Sequence, residues 1–129
     1  MIPVDPFDLP EWLGEEDVTW AAESGLRTGY AVPGVLTGAG HDPFACDLLA
    51  VDEAYPVPVA DEKARHDAHQ AWRHGQVHLV SVDDRLTLAV PGTGFTADLA
   101  LDALGRLAKA VGASGERYAV LLRIGASKP

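Results

Sequence analysis

The rhythm of apolar and polar positions changes repeatedly along this chain, and each change marks an element. "VTWAAE" (residues 18–23) alternates with the period of a strand and stops at Ser24-Gly25, a hairpin turn signal. "TGYAVPGVL" (28–36) continues the strand pattern, but Pro33-Gly34 interrupts any hydrogen-bond ladder and predicts an edge strand or a bulge. "FACDLLAVD" (44–52) is the longest strand segment of the N-terminal half, and "EAYPVPV" leads out of it as an extended connection. "QVHLVSV" and "RLTLAV" alternate on either side of Asp83-Asp84, the pattern of a half-buried antiparallel hairpin. "RYAVLLRI" (117–124) predicts a final strand.

Two stretches recur at helical spacing instead. Residues 61–74 place Ala64, Ala68, Ala71 and Trp72 on one face. Asp61 stands at the N-cap, Arg73 and His74 lie in the last turn, and Gly75 occupies the position of a C′ stop. From the cap Thr96 to about Val111, the residues Ala97, Leu101, Leu104, Ala108 and Val111 form a stripe that Ala100, Ala103 and Leu107 widen. So broad a stripe predicts a largely buried helix stopped by Gly112. Gly105 in its middle costs roughly 1 kcal/mol against alanine, a cost that close packing on a strand would offset.

Residues 1–17, "MIPVDPFDLPEWLGEED", fit neither rhythm: three prolines exclude a regular helix or central strand, although Pro10 permits one short turn through "PEWL". Phe7, Leu9, Trp12 and Leu13 are too apolar for water and must either pack on the chain's own sheet, the favoured reading, or dock on a partner. The expectation is an extended arm (1–17) before one α+β domain (18–129). Its sheet is mostly antiparallel with two helices, in the order βββ-α-ββ-α-β.

Composition narrows the picture. A chain of 129 residues, 47% apolar, buries roughly two-thirds of its unfolded surface without needing a cofactor to fold. The single cysteine, Cys46, excludes an internal disulfide and fits a reducing compartment. The N-terminus lacks the basic and continuous apolar regions of a secretory signal, and no apolar run has the length of a membrane span, so a cytoplasmic location with no membrane contact is expected. Of the net charge of −9, residues 1–61 carry −11 and residues 62–129 carry +2. Nucleic acid is a poor partner for such a chain, because phosphate contacts need clustered Lys and Arg.

Candidate chemistry centres on "RHDAHQAWRHGQVH" (65–78), which holds four of the five histidines. His66 and His69 are three apart and are the metal candidates, but a closed site wants more ligands and Arg73 on the same face opposes a cation. No native metal and no cofactor are expected. His74 and His78 flank the helix stop and are the imidazoles placed to feel a neighbour. Cys46 shares its strand face with Phe44, Leu48 and Ala50 and reads as core, although His41 is free to approach it in three dimensions. "PGTGFTAD" (91–98) lacks both the P-loop ending and the GxGxxG spacing, so its glycines serve the turn. Asp47, Asp52 and Glu53 lie close together in sequence, as carboxylates do in a chain this acidic.

The element order, acidity and size are similar to the secretion-chaperone-like α+β fold, without its leading helix. The phrases "CDLLAVDEAYPVPV", "AHQAWRHGQVHLV" and "RLTLAVPGTGFTADLALDALGRLAKAVGA" resemble an uncharacterised family of small proteins from high-GC actinobacteria, a resemblance that implies no activity or site. The reading leans towards a non-enzymatic interaction module, chaperone-like or adaptor-like, that binds a protein partner or a second copy of itself. The alternative is a small-molecule binder or enzyme with a pocket between the sheet and the first helix, drawing on His41, Cys46, His69, His74 and His78.

Overall fold

The structure, a computed structural model, describes residues 1–123. The longer strands are β2 (Val18–Ala22), β4 (Gly34–Gly38), β5 (Phe44–Ala50), β8 (His78–Val82), β9 (Arg85–Val90) and β10 (Tyr118–Leu121). Two-residue strands β1 (Ile2–Pro3), β3 (Ala31–Val32), β6 (Glu53–Ala54) and β7 (Val57–Pro58) supplement them. The helices are α1 (Trp12–Glu15), α2 (Glu62–Arg73) and α3 (Ala97–Ala110), so a one-turn helix joins the two that were expected. The class is α+β with a mostly antiparallel sheet.

The main sheet has eight strands in the order β1-β8-β9-β5-β4-β2-β10, with β3 also paired to β5. Among the described residues only β5 with β9 and β2 with β10 run parallel. Both long helices are framed as their termini predict. The Asp61 carboxylate accepts from the Ala64 amide at 2.7 Å, and the Thr96 hydroxyl accepts from the Leu99 amide at 3.2 Å. At the far ends, Gly75 and Gly112 take positive φ, and the amides that follow reach back to the carbonyls of Ala71 and Ala108. Asp83 and Asp84, both at positive φ, form the β8–β9 turn.

Alternation along the strands divides the core between two faces. On the inner face, Trp20, Leu36, Leu48 and Leu88 pack against Ala100, Ala103, Leu104 and Leu107 of α3. On the outer face, Val51, Val80 and Ala89 pack against Ala68 of α2. Strand β9 is therefore buried on both sides, not half-buried as alternation suggested, because Leu86, Leu88 and Val90 face α3 while Ala89 faces α2.

Other expectations need correction. Ser24-Gly25 does not close a tight hairpin: a helical turn (Leu26–Thr28) and β3 intervene before β4 pairs with β2. The strand broken at Pro33 is no edge strand, since it lies between β2 and β5. Its break is absorbed by a side chain, the Asp47 carboxylate accepting from the Gly34 amide at 3.1 Å. Leu101 points outward at 46% exposure, and a Cβ on Gly105 would meet open space, so among the described residues no strand packs closely there. "EAYPVPV" is a small β6–β7 hairpin with a cis Tyr55–Pro56 bond. Ile124, placed in the final strand by its pattern, lies outside the described residues.

The N-terminal arm folds against its own chain. Ile2 and Pro3 pair with Ser81 and Val80, and the Val4 amide donates to the Leu79 carbonyl. Leu13 is fully buried and accepts a hydrogen bond from the Tyr118 hydroxyl through its carbonyl. Trp12 stacks on His41 with ring centroids 4.5 Å apart.

Candidate functional site

Two surfaces emerge once the helices are placed. The first follows from where α2 stops. It covers the outer face only over β8, β9 and β5, leaving the outer side of β4, β2 and β10 without a helix among the described residues. Leu121, Ala21, Val35 and Ala45 stand in register across that open half, with Ala119, Thr19 and Thr37 in the next row. None is charged. At the boundary with the covered half, Arg85 forks onto Asp47 through two 2.8 Å hydrogen bonds and also donates to the Gly34 carbonyl. The fork holds the Arg85 guanidinium above its ordinary range, chiefly through its hydrogen bonds to Asp47.

The second surface is a half-open groove of about 600 Å³ between the arm, the end of α2, the start of β8 and the last turns of α3. Its apolar floor includes Pro3, Val4, Val77 and Leu79. Small-molecule sites fall in the same volume range. Arg106 fixes the geometry of one wall. Its guanidinium lies 3.4 Å from the Trp72 ring centroid, donates to the carbonyls of Trp72 (2.8 Å) and Gln76 (3.0 Å), and pairs with Asp102. One side chain thus ties α3 to the C-terminal end of α2. Lys109 stands one turn further along, with no ion-pair partner among the described residues.

The five candidate pocket residues do not converge. His74 and His78 line this groove together. Burial holds the His78 imidazole below its ordinary value of 6.5, opposed by the negative charge of Asp67. His69 faces elsewhere and holds Asp52 at 2.9 Å, beside a shallower hollow lined by His66 and Arg73. His41 is engaged by Glu16 at 3.0 Å and by Trp12. Cys46 is enclosed in the core, where burial pushes its thiol well above the ordinary range, with the Asp47 charge adding to the effect. A thiol so placed is not a nucleophile.

The remaining candidates resolve as plainly. Among the described residues no group of three or more His, Cys, Asp or Glu is placed to hold a metal ion, and His66 and His69 form no such group. Asp47 and Asp52 serve Arg85 and His69 respectively, so they make no catalytic carboxylate pair. The Thr96 hydroxyl of the "PGTGFTAD" loop is used in capping α3. Of the proposed docking residues, Leu13 is unavailable, Leu9 and Trp12 are half-buried on the core, and Phe7 is 94% exposed. Arg106 and Lys109 went unnoticed in the sequence. Their three-residue spacing in the last turns of α3, just before Gly112, was the available signal.

No helix among the described residues is long and apolar enough to cross a membrane. No known protein family, curated protein or solved structure matches the chain.

Proposed function

We propose that this protein is a non-enzymatic interaction module whose first partner is a second copy of itself, joined through the open half of the outer sheet face. The observation that carries this reading is the uncharged row Leu121, Ala21, Val35 and Ala45 on a molecule of net charge −9. Two such molecules repel wherever acidic surface meets acidic surface. A flat patch free of charge is where they touch without that cost, and a self-complementary patch suits a two-fold contact. Leu121, 62% exposed on the edge strand, supplies apolar area to be covered.

Sedimentation of the wild-type chain and of Ala21→Glu tests this. The expected result is a dimer, twice 13.7 kDa, for the wild type and a monomer for the variant. A wild-type monomer at all concentrations removes the reading.

A second reading, a small-molecule binder, draws on the convergence of His74 and His78 on one groove with an apolar floor. It places the site beside the C-terminal end of α2 and needs no assembly. Chemical shift changes confined to residues 76–79 and 106–110 on adding small amphiphiles are its expected signature, and their absence ends it.

A further inference from the structure

We propose that the groove between the arm, α2 and α3 selects small organic acids with an apolar body, seating the carboxylate at Lys109. This rests on the small-molecule reading above and adds the class of ligand. The groove is lined by Arg106, Lys109, His74 and His78 and by no carboxylate, in a chain with 19 acidic residues against 10 Lys and Arg. A random patch of this surface would carry the opposite sign.

The two cations have different duties. Arg106 spends most of its donors on the Trp72 and Gln76 carbonyls and on Asp102, so it builds the wall and is largely neutralised there. Lys109 has no ion-pair partner among the described residues, and its ammonium keeps its donors for a ligand. Two helix C-termini meet at the groove, and their partial negative charge would ordinarily repel an anion. Here most of that charge is engaged, because the carbonyls of Gln70, Ala71 and Trp72 accept from the amides of His74, Gly75 and Gln76 together with Arg106, and those of Leu107, Ala108 and Lys109 from Val111, Ala113 and Gly112. Lys109 is left as the uncompensated charge, and Pro3, Val4, Val77 and Leu79 supply a surface for an alkyl or aromatic body. A neutral analogue gains the same apolar contact without the charge-assisted hydrogen bond.

The test is an amide-resolved NMR titration of the full chain with octanoate and, separately, with octanamide. Octanoate is expected to perturb residues 76–79 and 106–110 and to bind at least about tenfold tighter than octanamide, the difference one charge-assisted hydrogen bond makes. Lys109→Glu, at an exposed position that leaves the fold intact, removes that difference. Arg27→Glu, which changes net charge equally but lies outside the groove, preserves it. Equal binding of the two probes overturns the acid selectivity while leaving a small-molecule groove standing. A preference that survives Lys109→Glu overturns the assignment to Lys109. If neither probe perturbs the groove, both the inference and the reading beneath it fall.

Discussion

The two ends of the sheet are built on different terms. Strands β8, β9 and β5 have α3 on one side and α2 on the other, and β9 accordingly reads as an almost unbroken apolar run, "LTLAV". Strands β4, β2 and β10 have α3 on one side only, and their outward positions are uncharged, from the small or hydroxylated Thr19, Ala21, Val35, Thr37 and Ala119 to the exposed Leu121. Outer-face charge gathers at one end of the open half, where Glu23 lies 3.9 Å from Arg85 and Asp47 holds the guanidinium, and the two rows beyond it carry none. A strand face meant permanently for water ordinarily carries polar residues, and the scarcity of charge on the open end is what supports the proposed self-association.

Substitutions at matched positions probe that contrast most strongly. Ala89 and Ala21 lie on the same outer face, one beneath α2 and one in the open. Ala89→Asp buries a carboxyl group with no partner and is expected to cost roughly 3–5 kcal/mol in urea denaturation. Ala21→Glu is expected to change monomer stability by under about 1 kcal/mol. Equal costs would mean that the two ends do not differ.

The boundary comes next. Asp47→Ala removes the Arg85 fork and leaves the Gly34 amide without its acceptor. The loss is expected at about 1–2 kcal/mol, moderated because the Arg85 side chain is 36% exposed. Gly105→Ala probes the helix shared by both ends and should stabilise the protein by about 1 kcal/mol, since the added methyl meets nothing within 4 Å. A destabilised Gly105→Ala would show that the glycine has a packing role after all.

The smallest effect is a slope. The His78 imidazole is held below its ordinary value of 6.5 by burial, so the unfolded chain takes up a proton before the folded one does. Stability is full above the ordinary range and falls as pH drops towards and through the folded-state pKa. His78→Gln should flatten that part of the pH–stability curve, and an unchanged slope would remove His78 from the account.

Much of the local structure was legible because single residues decide it. Asp61 and Gly75 frame α2, Thr96 and Gly112 frame α3, and Asp83-Asp84 turns β8 into β9. What stayed hidden depends on distant partners. Pro33 marks an edge or a bulge by itself, yet Asp47, fourteen positions on, lets the strand sit inside the sheet. The breadth of the α3 stripe suggested that Leu101 and Gly105 were covered, but among the described residues no element reaches that side of the helix. The candidate site was half legible. His74 and His78 stood out by type and spacing, whereas Arg106 and Lys109 acquire meaning only when α3 is laid against the end of α2.

Hydrogen–deuterium exchange followed as a function of protein concentration tests the central claim most directly, because association protects only the strands it covers. The account predicts that protection in β2, β4 and β10 rises with concentration while that of β9 stays constant, and that Ala21→Glu abolishes the rise. Protection in β2, β4 and β10 that is independent of concentration would contradict it.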